Sequence, residues 1–312
     1  MIGAGGFAVV VGCAGSIARR LLGAALVVIV SGAVGGCGVK TTYNNLDRLV
    51  RWSMDDYMSL DPAQEAFFRG ELDTVLYWHR TSQLPVYAKA IRQLDADLAD
   101  GASMEEMFVF RGEMEAWWDR ILEASLPLST QLMYSATDAQ LDQFALQYEK
   151  DIRKYVKPYE KLSPDERRER WARDFRDYFE YLTGSLSADQ RAMIVAQSKR
   201  FVPDDRSWAD YRARYGAALV ALVRERRSFI EFSHAFRTMT FERERWYGDV
   251  YSAALASNQD LYRDVSLALL ESLTAEQRRQ LSKTLQELAK DFDELALDAP
   301  AAPPPAACLI SC

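Results

Sequence analysis

A start signature for helices constrains this chain more than any other feature. It occurs five times, as Asp61-Pro62-Ala63-Gln64, Thr137-Asp138-Ala139-Gln140, Ser163-Pro164-Asp165-Glu166, Ser187-Ala188-Asp189-Gln190 and Thr274-Ala275-Glu276-Gln277. Each puts a capping side chain first and an acid or amide three residues later, so the two can satisfy each other's orphan backbone N–H groups. Pro62 and Pro164 stand at the first helical position, where a missing N–H costs nothing. Leu60, Leu162, Leu186 and Leu273 precede four of the five boxes, as a hydrophobic staple would. One such box is common by chance. Five, in a chain without sustained period-two alternation of β-branched residues, predict an all-α fold.

The apolar spacing agrees. Phe68, Leu72, Val75, Leu76 and His79 fall on one helical stripe after Pro62, and Tyr87, Ile91, Leu94 and Leu98 on another that Gly101 stops. A third stripe runs from Met104 through Met107, Phe108, Arg111, Met114, Trp118, Ile121 and Leu122 to Pro127, which is expected to kink or end it. Further helices are expected near 138–156, 164–183, 187–200, 205–237, 240–256, 259–272 and 274–296. The expectation is an irregular bundle of about nine to eleven helices over 46–296, any division into two subdomains falling near 158–163. Residues 297–312, rich in Ala and Pro, read as a disordered tail.

Residues 1–36 contain no Asp or Glu, and Arg19-Arg20 is their only basic pair. The apolar run Leu21–Val30 follows, too short to span a bilayer of roughly 30 Å but suited to a signal-peptide core. Val34-Gly35-Gly36-Cys37 then resembles the lipobox of bacterial lipoproteins. The resemblance implies a signal peptide over 1–36, cleavage before Cys37, diacylglycerol (palmitate-type acyl chains) on its thiol and a lipidated tether over 37–45. Several acyl chains, at ~0.8 kcal/mol per buried methylene, hold a protein at a membrane for its lifetime. Gly38, in place of the Asp that retains such proteins in the inner membrane, points to the outer membrane's inner leaflet and the periplasm.

Without 1–36 the chain has 36 basic and 45 acidic residues, a net charge near −9, which argues against a nucleic-acid partner. Cys13 would leave with the signal, and Cys308 and Cys312 sit in the tail, where a small disulfide loop stays open. The region 38–307 has no cysteine.

A family resemblance follows from Tyr43-Asn-Asn-Leu-Asp-Arg-Leu-Val-Arg-Trp52, Asp55-Asp56-Tyr57, Leu60-Asp-Pro-Ala-Gln64 and Trp78-His79-Arg80 with Leu84-Pro85-Val86-Tyr87-Ala88. These segments look like a proteobacterial lipoprotein family filed as domain of unknown function 6279. The resemblance implies a lipobox and a similar length, and brings no activity with it.

Chemistry-bearing residues are few. His79 is one of two histidines; it is a candidate binding residue with Trp78, Asp55, Asp56 or Tyr87, against the simpler reading of a packed core histidine. Glu231-x-x-His234 places two side chains on one helix face, as a di-iron bundle would need. The required second Glu-x-x-His is missing, since Leu76 stands three before His79. Zinc lacks His and Cys ligands in the same way, so no metal and no cofactor beyond the lipid is expected. No Walker loop, Gly-x-Ser-x-Gly elbow or dinucleotide fingerprint occurs. Most aromatic residues read as core, but neighbours such as Trp117-Trp118 and Tyr178-Phe179 cannot both enter one core, and one of each pair should line a second contact, a groove or a partner surface. The leading expectation is a non-enzymatic, membrane-anchored interaction module for a protein or envelope polymer. Its chaperone-like variant rests on Leu-x-x-x-Gln starts that capping already explains. The alternative is a cell-envelope hydrolase or lytic enzyme built on a His–carboxylate site.

Overall fold

The computed structural model describes residues 38–99, 101, 103–304 and 309; the expected signal segment and all four cysteines, Cys37 among them, lie outside the described residues. Among the described residues there are no strands. The helices are α1 (Gly38–Asn44), α2 (Leu46–Tyr57), α3 (Pro62–Trp78), α4 (Leu84–Asp97), α5 (Met104–Ser135) and α6 (Asp138–Val156), then α7 (Pro164–Thr183), α8 (Ala188–Gln197), α9 (Asp205–Arg224), α10 (Phe229–Phe241), α11 (Asp249–Glu271) and α12 (Ala275–Leu297). A π-helical turn, His79–Gln83, joins α3 and α4 into one rod, which leaves eleven helical rods. All five capping boxes form, and two more, Ser103 with Glu106 and Ser228 with Glu231, start α5 and α10.

Four of the boxes also hold the tertiary structure together. Each belongs to a corner of the form Ser-x-cap-x-x-Gln: Ser59–Gln64, Ser135–Gln140, Ser185–Gln190 and Ser272–Gln277. The corners meet in pairs. Gln64 donates to the Ser135 carbonyl at 3.3 Å, while Gln140 donates to the Ser59 carbonyl at 2.8 Å and to the Gln64 amide oxygen at 2.6 Å. The second pair repeats this: Gln190 donates to the Ser272 carbonyl at 3.1 Å, and Gln277 to the Ser185 carbonyl and the Gln190 amide oxygen, both at 2.9 Å. All four glutamines are buried. In the first clasp α2 packs on α6 and α3 on α5; in the second α7 packs on α12 and α8 on α11. Two four-helix modules thus share one topology.

The buried residues of the main core come from every helix except α7 and α8, with Leu182 of α7 packed at its edge. A second core is built from Trp171, Phe175, Phe179, Leu186, Ile194, Leu261, Val265 and Leu269, with Leu270 packed against both.

The structure departs from the sequence expectations at four places. Residues 38–44, expected as tether, form α1: Val39 and Tyr43, one turn apart, are buried, and Lys40 pairs with Asp291 at 3.3 Å and with Glu294. Helix α5 continues through Pro127, because Ile121 and Leu122 before it and Leu128 and Leu132 after it are all buried. The segment expected as one helix over 205–237 breaks at Arg226, whose φ is 50°; its guanidinium donates to the Ala136 carbonyl and pairs with Asp138, each at 2.8 Å. The break expected near 257 falls instead at a 3₁₀ turn, Arg243–Trp246, and Gly248 (φ 70°), leaving α11 continuous. In the tail, the Leu309 N–H donates to Gln131 at 3.1 Å and the side chain packs on the main core.

Candidate functional site

His79 sits where Pro85 disturbs a helix. Without an N–H at position 85 the ladder slips, and the Leu84 N–H reaches the His79 carbonyl five residues back. Hydroxyls of Thr81 and Ser82 bond the Tyr77 and Trp78 carbonyls at 2.8 and 2.6 Å. The turn aims the imidazole inward. Nδ1 lies 2.8 Å from the Tyr43 hydroxyl and Nε2 3.4 Å from the Tyr87 hydroxyl, with the Trp117 ring tilted at 34° and 4.3 Å from Tyr87. Burial pulls the His79 pKa down to about 4 and pushes both tyrosines up. The Arg80 guanidinium over the Tyr43 ring, at 4.9 Å, partly offsets the latter shift. Buried between two phenols, the imidazole is held in its neutral form.

Of the other residues singled out in the sequence, Asp55 and Asp56 are exposed on α2 and do not join His79; the His–carboxylate grouping does not form. Trp117 enters the main core, while Trp118 turns to a small cluster with Ile121, Leu122, Trp78 and Phe241. His234 is exposed, and Glu231 is engaged by the Ser228 cap. No group of three or more His, Cys, Asp or Glu able to hold a metal ion occurs among the described residues.

The structure instead builds a cleft that sequence reasoning missed, where the second core meets the end of α6. Its walls are Tyr155 and Tyr159 from α6 and the turn after it, Arg167, Arg170, Trp171, Asp174 and Tyr178 from α7, the loop 201–205, and Tyr262 from α11; the cavity volume is about 50 Å³. The loop is fixed from three sides. Asn258, 2% exposed, clamps both backbone groups of Val202 at 2.9 and 2.8 Å; Arg168 donates to the Phe201 carbonyl at 3.1 Å. Arg167 joins Asp205 at 2.7 Å and the Tyr159 carbonyl at 2.9 Å.

That scaffold leaves polar groups unmatched. Asp204 stands at the N-cap position of α9, yet its side chain makes no cap bond and is withheld from the helix. Burial raises its pKa to about 6, its own backbone N–H lowering it in part and Asp205 adding to the rise. Asp174 is also raised by burial; its nearest cation, Arg170, is 3.8 Å away and stacks instead on Tyr159. On the donor side, the Arg167 Nε–H and the Trp171 indole N–H are buried without a hydrogen-bond partner. The indole N–H lies near enough to the Tyr262 hydroxyl to temper its upward shift without closing to bond geometry. Tyr178, half of the adjacent pair flagged in the sequence, lines this cleft and has a pKa raised to about 12 by burial. Its pairing with Phe179 was the one legible signal.

No curated protein and no solved structure matches the chain. A family model does match it, over residues 56–252, which include both histidines, both tryptophans of the Trp117-Trp118 pair, the first glutamine clasp and most of the cleft. On that match the chain belongs to the family of unknown function DUF6279.

Proposed function

We propose that this protein is a lipid-anchored, non-enzymatic interaction module of the bacterial cell envelope, held on the periplasmic side of the outer membrane, that engages its partner through the cleft between α6, α7 and the 201–205 loop. The observation that carries the proposal is the pairing of rigidity with unmet polarity: a loop pinned by Asn258, Arg167 and Arg168 holds Asp204 off its helix cap, beside an Arg167 Nε–H and a Trp171 indole N–H that are buried without bond partners. Preorganised groups that lack partners in the free protein are what a binding site needs. Anchoring is supported by the resemblance of Val34–Cys37 to a lipobox and by the apolar run before it. No helix among the described residues is long and apolar enough to cross a membrane; on this reading a lipid on Cys37 supplies the attachment. The rival reading, an enzyme with a histidine and a carboxylate, has no geometry behind it, since His79 faces two tyrosines and His234 faces solvent.

The test is photocrosslinking in intact cells from a benzophenone residue at position 159, compared with position 146, which is exposed on α6. A product captured from 159 and not from 146 is expected. Equal capture from both would remove the cleft from the proposal. Labelled palmitate should enter the wild-type chain and not Cys37→Ser; equal labelling would remove the anchor.

A further inference from the structure

We infer that the cleft binds a saccharide, admitting the hydroxyl edge of a sugar ring between Asp204 and Trp171 while the ring packs on Tyr155 and Tyr159. The inference deepens the proposed binding role and rests on the reading that this cleft is the contact site.

The cleft lacks partners for several of its own polar groups. Trp171 is 5% exposed, and its indole N–H has only the Tyr262 hydroxyl nearby, short of bond geometry; the Nε–H of Arg167 has no acceptor. These are donors. Asp204, free of the helix cap, and Asp174, with only a loose cation at 3.8 Å, are acceptors. An ammonium ion would satisfy the carboxylates and leave both donors orphaned. An anion would do the reverse and face two carboxylates. A hydroxyl both donates and accepts, so a row of hydroxyls meets all four groups without bringing charge. The charged lining supports a neutral ligand: Arg167 and Arg170 nearly balance Asp174, Asp204 and Asp205.

Size narrows the choice. A cavity of about 50 Å³ holds roughly three to five water-sized groups, too few for a whole sugar ring but enough for the hydroxyls along one edge. Water in the empty cleft would make the same bonds, and ligand hydroxyls that reproduce them lose little by replacing it. The rest of the ring needs an apolar face to lie on. Tyr155 and Tyr159 are partly exposed at the mouth and held in place, Tyr155 by Trp208 at 4.0 Å and Tyr159 by the Arg170 guanidinium at 4.7 Å. The C–H face of a pyranose fits such rings.

The experiment is titration of the full chain in detergent with maltotriose and, separately, N-acetylated chitotriose, followed by calorimetry and tryptophan fluorescence. Saturable binding of at least one sugar is expected. Asp204→Asn should weaken it about fivefold or more, by leaving a hydroxyl donor short of its charged acceptor. Tyr155→Leu should do the same by removing the apolar platform, and it carries the test should Asp204→Asn fail to fold. Asp142→Asn, outside the cleft, should leave affinity unchanged. The inference is overturned if neither sugar saturates, if both cleft variants bind as wild type does, or if butylammonium or inorganic phosphate binds the cleft in preference to the sugars. Capture of a protein from position 159 together with an absence of sugar binding would spare the cleft as a contact site and defeat the saccharide alone.

Discussion

At His79 burial outweighs intrinsic chemistry. An imidazole whose pKa falls from 6.5 in the unfolded chain to about 4 in the folded one binds its proton more readily after unfolding. Its contribution to stability is therefore fully present above pH 6.5 and lost as pH falls towards 4. A shift of this size corresponds to about 3 kcal/mol. Urea unfolding of wild type and His79→Leu across pH 4–7 should show the wild-type curve falling more steeply by about that amount; parallel curves would show that the imidazole is not sealed. Gly216 gives a second residue-level outcome. A Cβ there would meet Tyr148 ring atoms at 2.5 and 2.7 Å, and that ring is held between Phe144 and the Arg212 guanidinium. Gly216→Ala should destabilise by about 1–3 kcal/mol despite its better helix propensity, read as a lower urea midpoint. If the midpoint rose, α6 and α9 would be less closely packed than described. Neither effect is visible from residue type, because both depend on neighbours far away in the chain.

Among elements, the helix starts were legible and the helix ends much less so. A box works within four residues, and all five formed. Ends were misread where a distant partner took over: the gap expected between 256 and 259 is continuous helix, in which Asn258 spends its side chain on Val202, and Pro127 is carried by buried neighbours on both sides. The four glutamines of the Ser-x-cap-x-x-Gln corners were read only as caps. Their second set of bonds, across 76 residues in one clasp and 87 in the other, is a tertiary fact. Removing one glutamine strands the buried amide of its mate, so Gln64→Ala and Gln140→Ala should each cost about 1–3 kcal/mol. A double-mutant cycle should find them coupled by about 1 kcal/mol, whereas Gln64→Ala with Gln190→Ala, from separate clasps, should be additive within about 0.5 kcal/mol. Additivity within the first clasp would mean that the glutamines cap and do nothing more.

For the whole molecule, the lack of slack at the N-terminus matters most. On the proposed anchoring, acylated Cys37 is followed directly by α1, which runs beside α12 in the same direction: Lys40 reaches Asp291 and Glu294, and Arg80 links Asn44 to the Asp298 carbonyl. The lipid would then emerge next to the middle of α12 and hold that flank to the bilayer. A fluorophore at exposed Lys290 should be quenched by headgroup-labelled lipid more strongly than one at Leu146, which is 66% exposed on α6. Ten Gly/Ser residues inserted after Cys37 should abolish the difference. Equal quenching without the insert would mean that the body does not lie on that flank. By itself the sequence determined the helical class, the places where helices begin and the family, since capping and apolar periodicity act over one or two turns. Only the tertiary structure decided that His79 is sealed, that four caps pair into two clasps, and that residues from α6, α7, α9 and α11 enclose a cleft. Those outcomes depend on which distant side chains exclude water from a group or give it a partner, and no local pattern encodes that.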